Sequence, residues 1–563
     1  MRKSILVYNN NGDVKMKDIT MKKSTFVKGA FITTFGIVLT KLLGALYVIP
    51  FHGLIGEKGG ALYGYAYTIY NIFMSLATAG IPLAISRIVS EYQAMGYYNT
   101  KRRVFILSRR IALLLGFVFF LIILFSAPFL AKAVLGGVVG GNTIQDVTFV
   151  IRMIGTAIII VPVLSIYRGY FEGHRFMSPP SISQVIEQAI RVFIIILGSY
   201  LTLKVFHGSL TTAVGIALLG ATIGAFVSYL YLVEKKYKNK SKFTERIRSV
   251  NEPIITNKSI IYKIIIYAIP FIMIDIFKSL YNIVDMVTVV KGLVHYAHFS
   301  AKDAETIYGM LSTWANKFNM IVLAVSSGII VNLIPNLTES IVKDNKTDIQ
   351  KKVTRSVVLL LSLSVPITFG VSFLAKPIWL LFYGDNLYGS SVLSYYIFIG
   401  FFISMLTILL TILQTFKDYK SVFIGLSIGI IVKILLNNNL MQAFYQMGVP
   451  AYYGVITASI IGYLISIIYC FVILHHKYHI AIEGLIRDFF DILCGSILMI
   501  FVLLLMKFII PLYSSVRVMN LLWIIIYIII GVIVYFMYVY YTKLAERILG
   551  KDFITNIKSN FHK

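Results

Sequence analysis

Apolar runs of the length that crosses a bilayer as a helix, about 20 residues, recur along the whole chain with short polar loops between them. The pattern predicts about fourteen spans, near residues 26–51, 61–90, 105–131, 147–167, 181–203, 209–233, 260–290, 304–335, 353–382, 391–416, 420–437, 451–474, 488–512 and 518–542. The expected fold class is an all-α polytopic membrane protein. The longest break, residues 234–259, is charged and poor in apolar residues, and it separates six spans from the rest.

An internal repeat supports that division. The second span opens Tyr63-Gly64 with Asn71 seven residues after the glycine, and the eighth opens Tyr308-Gly309 with Asn316 at the same spacing. The first and seventh likewise open with Ser24 and Lys28, and with Ser259 and Lys263. Two six-helix bundles plus two extra helices follow, a transporter plan that places the substrate site between the repeats. The expected domains are a cytoplasmic tail (1–25), a first lobe (26–233), a cytoplasmic linker (234–259), a second lobe (260–477), a helix pair (478–543) and a second tail (544–563). Residues 1–20 are expected to be a disordered tail, and Met21, in Met-Lys-Lys-Ser-Thr-Phe, offers an alternative start.

Composition agrees with the membrane reading. At 58% hydrophobic and 13% charged, the 563 residues have too little polar surface for a soluble protein. The net charge of +28 points away from nucleic acid once its placement is considered. With the N-terminus inside, about 33 Lys and Arg fall in inner loops and tails and about 6 outside (Lys58, Lys132, Lys204, Lys291, Lys302, Arg517), a strong positive-inside asymmetry. Both termini are therefore expected in the cytoplasm, and the protein in the cell membrane. Cys470 and Cys494 lie in apolar runs, and His52, His174, His475 and His476 show no metal-ligand spacing, so no metal site is expected.

Charges inside spans are the candidates for chemistry. Lys41 sits near the middle of the first span, where a charge costs roughly 2.5–3.5 kcal/mol and commonly faces a cavity or a partner. Pro50 is about 13 Å further along a helix, a long climb for a snorkelling ammonium. In the seventh span Asp275, Lys278, Asn282 and Asp285 project within about 80° of one another. An Asp275–Lys278 bridge is one reading; Asp285, without a local partner, points to a water-filled cavity. Tyr63, Tyr67, Tyr70, Asn71 and Thr78 share a face of the second span, as cavity lining or as helix packing. Arg87 lies beyond the Gly80-Ile81-Pro82 break, and Lys317, beside Asn316, is a second mid-membrane cation. Arg152, Arg168 and Lys376 read as structural, and Glu187 with Arg191 as a helix-stabilising i,i+4 pair. Lys28, Lys41, Arg87, Lys278 and Lys317 outweigh Asp275 and Asp285, so the surfaces they share suit an anion such as a phosphate.

Two sequence blocks carry a family resemblance. Gly56-Glu57-Lys58-Gly59-Gly60 leads into Tyr63-Gly64, Ala66-Tyr67 and Ile69-Tyr70, then Gly80-Ile81-Pro82, Ala84-Ile85-Ser86-Arg87; the second block is Arg168-Gly169-Tyr170-Phe171 and Gly173, then Pro179, Ile182-Ser183-Gln184-Val185, Glu187-Gln188 and Arg191-Val192. They resemble the MurJ/YtgP/SpoVB-type proteins of the polysaccharide-exporter (MOP) superfamily. The resemblance implies a MurJ-like fold with a central cationic cavity, a lipid-tail groove at helices 13 and 14, and a flippase for undecaprenyl-pyrophosphate-linked sugars, above all lipid II. Family cavity cations are matched by Lys41 and Lys317, lysines where the family tends to have arginine, while a family arginine of helix 2 has no counterpart near Met74 and Ser75.

The expected mechanism is alternating access driven by the membrane potential, with no cofactor and the coupling ion open. Expected partners are a lipid-linked anionic saccharide, membrane lipids and the cell-wall synthesis machinery. Other polyprenyl-linked saccharides, a sporulation role and a MATE-like cation or drug antiporter are the alternatives. An enzyme is disfavoured, because the outer loops are short and poor in carboxylates and histidines.

Overall fold

The computed structural model describes residues 4–8, 14–18, 39–40, 43–44, 46–78, 80–174, 176–239, 252–481, 483–514 and 516–549. The helices are α1 (Val48–Thr78), α2 (Ile81–Met95), α3 (Tyr98–Leu135), α4 (Ile144–Gly155), α5 (Ala157–Gly173), α6 (Ser178–Tyr200), α7 (Leu210–Lys238), α8 (Asn257–Ala297), α9 (Ala301–Gly309), α10 (Asn316–Val342), α11 (Lys346–Phe373), α12 (Ala375–Tyr383), α13 (Gly389–Thr415), α14 (Tyr419–Gln446), α15 (Ala451–Tyr478), α16 (Glu483–Met506), α17 (Arg517–Tyr541) and α18 (Leu544–Leu549). Among the described residues thirteen helical stretches are long and apolar enough to cross a membrane. Most of the predicted first span, 26–51, lies outside the described residues. The protein is a helical membrane protein, with five of these stretches before residue 239 and eight after residue 252 among the described residues.

The tail departs from expectation. Strands β1 (Ser4–Tyr8) and β2 (Val14–Asp18) pair antiparallel, with Ser4 opposite Asp18. The intervening Asn-Asn-Asn-Gly-Asp has the composition of a hairpin turn, a local signal hidden by the overall polarity of the segment.

Local chemistry sets the helix ends. Thr143 and Asp146 form a capping box at α4, Asp146 N donating to Thr143 Oγ1 at 3.1 Å and Thr143 N to Asp146 Oδ2 at 2.9 Å. Within α1, Gly56 takes φ 60° and ψ −164°, a conformation closed to other residues, and the helix kinks there. The break before α2 combines Gly80 at φ 69° with Pro82 in the first turn.

The predicted basic clusters fall at one end of the bundle, where α3, α8 and α11 begin and α7 and α10 finish. Here Glu252 pins the segment before α8 to the start of α3. It accepts from Asn99 N at 2.9 Å, from Thr100 N at 3.0 Å and from Thr100 Oγ1 at 3.0 Å. Burial raises its pKa, but these hydrogen bonds outweigh it and hold the carboxyl below its ordinary range.

At the opposite end the two repeats cross. A Cβ at Gly309 would stand 2.9 Å from both Ala61 N and Glu57 O, and one at Gly60 would strike the Trp314 ring. Thr313 Oγ1 donates to Gly60 O at 3.0 Å, and Tyr65 stacks on Tyr308 at 4.5 Å. Small residues thus let backbones of the two lobes touch. Met310–Trp314, just below, is a π-helical turn. The paired Tyr-Gly signals of the sequence are this crossing seen from both sides.

Replacing Gly309 by Ala is expected to force the backbones apart and lower stability by about 1–3 kcal/mol. Gly328, whose Cβ would meet nothing within 4 Å, is the control. Thermal unfolding in detergent checks the pair: equal melting temperatures for Gly309→Ala and Gly328→Ala would refute the close-packing account.

Candidate functional site

Beneath the crossing lies a cavity of about 200 Å3, walled by α1, α8, the π-helical turn with the start of α10, and Tyr396 of α13. Of the residues singled out from sequence, Asn71, Asn282, Asp285, Asn316 and Lys317 all line it, with Tyr63 and Tyr67. Tyr63 stacks on Tyr67 at 4.7 Å and so packs while also lining the cavity. The periodic arguments therefore converge on one site.

Lys317 is the cation of this cavity. Its Nζ donates to the Tyr47 hydroxyl at 3.2 Å and stands 5.3 Å from the centre of that ring. No carboxylate among the described residues closes a salt bridge with it. Its electrostatic neighbours are Tyr47, Tyr67 and a second cation, Arg191. Lys41, the other expected cavity lysine, lies outside the described residues.

Arg191 does more than the local pair predicted from sequence. Glu187 accepts from Arg191 NH2 at 2.5 Å and, through its other oxygen, from Arg168 NH2 at 2.8 Å. Arg168 is further held by Ser183 Oγ at 2.9 Å and Ser228 Oγ at 3.3 Å. One carboxylate thus pairs directly with two arginines, and Glu172 is a further electrostatic neighbour of Arg168. Arg191 in turn is an electrostatic neighbour of Tyr63, Tyr67 and Tyr70. The sequence carried the signal in part: the i,i+4 pair was visible, but the alignment of α6 with α1 was not.

Asp285 is corrected from the expectation that it lacks a partner. Lys433 of α14, fully buried, donates to Asp285 Oδ1 at 2.7 Å and to Ser459 Oγ at 2.5 Å. Lys433 also reaches Asn437 Oδ1 at 3.4 Å, and Asn437 Nδ2 donates to Thr288 Oγ1 at 2.6 Å. The partner is 148 residues away in sequence, beyond the reach of helical periodicity. The signal available was a lysine within the predicted span 420–437.

Three candidates lie outside the cavity lining. Asp275 and Lys278 sit one to two turns nearer the basic end than Asn282. They are electrostatic neighbours, both exposed, and the expected salt bridge between them is not among the ion pairs of the described residues. Between them and the cavity, Ser75 and Ser279 approach to 3.5 Å. Arg87 is exposed and stacks over Tyr267 at 4.5 Å, while Glu91 accepts from Lys263 at 2.7 Å. These contacts join α1 and α2 to α8 on the basic side of the cavity. No group of His, Cys, Asp or Glu able to hold a metal occurs among the described residues.

A family model described as "Polysaccharide biosynthesis protein" matches residues 26–341, and one described as "MatE" matches residues 312–438. The chain is 32% identical over 460 residues to "Lipid II flippase MurJ" of Bacillus subtilis (strain 168), covering 80% of this chain and 82% of that protein. It is 31% identical over 223 residues to "Stage V sporulation protein B" of the same organism, covering 39% of this chain and 41% of that one. Among solved structures, "Lipid II flippase MurJ, inward closed conformation" superposes with a TM-score of 0.68 at 16% identity, over 92% of this chain and 100% of that one. A multidrug resistance MATE family transporter in its inward-facing conformation gives a TM-score of 0.63 at 11% identity, over 79% and 98%. The matched span of the family model and the extent of the MurJ similarity agree with the fold: the chain belongs to the polysaccharide biosynthesis protein family, as a MurJ homologue within the MOP superfamily.

Proposed function

We propose that the protein is a flippase that carries an undecaprenyl-pyrophosphate-linked saccharide, the peptidoglycan precursor lipid II, from the inner to the outer leaflet. The observation that carries the reading is Lys317, a cation without a carboxylate partner among the described residues, in a cavity between the repeats. Similarity to the Bacillus subtilis lipid II flippase supports the choice of substrate. The basic end is the cytoplasmic end in this reading, with both termini inside.

The steps follow from charge and from space. Lys317, with Arg191 behind it and Lys41 as an expected third cation, attracts the diphosphate once the basic end opens. Charge-assisted hydrogen bonds then hold the phosphate oxygens. The cavity in its closed form, about 200 Å3, is smaller than the roughly 300–1,000 Å3 of small-molecule sites, so the head enters only when the lobes part. Rocking about the crossing then exposes the cavity on the other side while the polyprenyl chain stays in lipid. Moving negative charge out of an inside-negative cell is downhill by about 2.3 kcal/mol per elementary charge per 100 mV, and the potential drives export in this proposal. Cell-wall synthesis enzymes on the outer face are the natural recipients.

The MatE match over residues 312–438 keeps an antiporter as the second reading. It is disfavoured by Lys433, which already occupies the cavity carboxylate Asp285 with a tethered cation.

Cells depleted of their resident lipid II flippase test the first reading. The native chain is expected to restore lipid II exposure on the outer leaflet, Lys317→Arg to restore much of it, and Lys317→Gln to lower it about tenfold, the equivalent of about 1.4 kcal/mol. Full rescue by a well-expressed Lys317→Gln form would remove the cavity cation from the mechanism.

The Asp285–Lys433 pair gives a separate outcome. Asp285→Asn leaves a buried ammonium without its counter-charge and is expected to destabilise the protein by about 3–5 kcal/mol, whereas Asp285→Asn with Lys433→Met recovers most of the loss. Thermal unfolding reads the stability and the rescue assay reads transport. A stable, inactive double variant would place the pair in transport and not in the scaffold alone.

A further inference from the structure

Cations are scarce at the end opposite the basic clusters, so their grouping there is informative. The predicted spans 353–382 and 488–512 placed Lys376 and Lys507 within the membrane. The structure instead ends α11 at Phe373 and α16 at Met506, and both lysines stand beyond those ends, exposed. Lys376 is in the first turn of α12 and Arg517 opens α17, and the two line a common pocket of about 410 Å3 with Asp385, Tyr513, Ser514 and Asn520. That volume lies within the range of ligand sites, roughly 300–1,000 Å3.

The pocket is built on a fixed base. Asn520, 1% exposed, donates from Nδ2 to Pro377 O at 2.9 Å and accepts at Oδ1 from Ser514 N at 3.4 Å. It thereby ties α12 and the loop before α17 to the first turn of α17. The Lys376 ammonium stands 4.1 Å from the centre of the Tyr513 ring. Hydrogen bonding and charge from Lys376, helped by Lys507, hold the Tyr513 phenol below its ordinary pKa. Asp385 offsets part of this field, yet neither Lys376 nor Arg517 closes a salt bridge among the described residues. Two cations and a polarised phenol converge on open space.

What borders the pocket selects the kind of anion. The last turn of α16, the second turn of α17 and the loop between the helices expose apolar side chains: Leu504 and Leu505, Leu521 and Leu522, and Phe508 with Ile509. A soluble phosphate would have no use for that wall; a lipid would set its head among the cations and its chain along the helices.

We propose that Lys376, Arg517 and Tyr513 form an outer-leaflet binding site for the phosphate group of a lipid. Two lipids have that chemistry, the transported diphosphate lipid after release and a resident anionic phospholipid. The first source rests on the flippase reading; the second does not.

The test uses the full chain in nanodiscs with a photoreactive diazirine amino acid at Leu380, which also lines the pocket. Labelling is compared for radiolabelled undecaprenyl diphosphate, phosphatidylglycerol and phosphatidylcholine. An anionic lipid is expected to label about tenfold more than phosphatidylcholine, whose quaternary ammonium cancels the charge of its phosphate and is repelled by the two cations. The excess is expected to vanish with Lys376→Gln plus Arg517→Gln, to persist with Lys376→Arg plus Arg517→Lys, and to persist with Lys317→Gln in the central cavity. Labelling by the diphosphate lipid supports the site as a release site. Labelling by phosphatidylglycerol alone supports the site with a resident lipid, and the carried-lipid reading then stands or falls on the rescue assay. No anionic excess, or an excess that survives loss of both cations in a folded protein, overturns the proposal.

Discussion

The contact on which the rest of the molecule depends is the glycine-mediated crossing of α1 with α9 and the turn below it. Backbone touches backbone at Gly309, and Trp314 lies flat against Gly60. Because that approach fixes where the two helices meet, it also fixes where they diverge. Asn71 and Thr68 on one side and Asn316 and Lys317 on the other separate below the crossing and enclose the cavity. The site is thus a geometric consequence of where the small residues stand in the two repeats, and the repeated Tyr-Gly spacing places equivalent polar residues on both walls.

Within that frame the bilayer imposes a second constraint, that no charge inside it goes unanswered. The protein answers its charges in three ways. Lys433 has a carboxylate, a hydroxyl and an amide, and its desolvation is offset internally. Arg168 and Arg191 share one directly paired carboxylate, Glu187. Lys317 has, among the described residues, a tyrosine hydroxyl and the face of its ring. The series runs from structural to receptive: the fewer the internal anions around a buried cation, the more an external one gains by arriving. That ordering singles out Lys317, and then Arg191, as the groups with attraction left to offer.

Much of this was legible in the sequence because helices in lipid must be apolar throughout, so that each polar residue is conspicuous. The span pattern, the face shared by Asn282 and Asp285, and the pairing of Asn71 with Asn316 all follow from local periodicity. What periodicity does not encode is which helix faces which. Lys433 and Asp285 were each visible as isolated charges, yet their union depends on the packing of α14 against α8. The same gap hid the turn of Arg191 toward the tyrosines of α1. Span ends were read too long at Phe373 and Met506, since hydropathy does not sense the short break at Leu374 or the loop that begins at Lys507. The hairpin of the tail was missed for the opposite reason, its turn signal lying inside a segment dismissed as polar.

The contacts between the lobes differ in kind at the two ends of the bundle. At the basic end the contacts include an exposed cation–π contact of Arg87, a half-exposed Glu91–Lys263 pair, a hydroxyl contact at 3.5 Å, the Glu252 bonds to the start of α3 and a close approach of Gly80 to Ala268 and Phe271 of α8. The exposed side-chain pairs among them contribute about 0–1 kcal/mol each. At the other end backbones interlock at the glycines. There Glu305, 2% exposed, also accepts from Asn142 N at 2.9 and 2.8 Å and from Asn142 Nδ2 at 2.8 Å. Parting that end exposes a buried carboxylate and a buried Trp314 together. The two ends thus differ in kind: side-chain pairs around a close approach of Gly80 to α8 on the basic side, and buried glycine contacts with a buried carboxylate on the other.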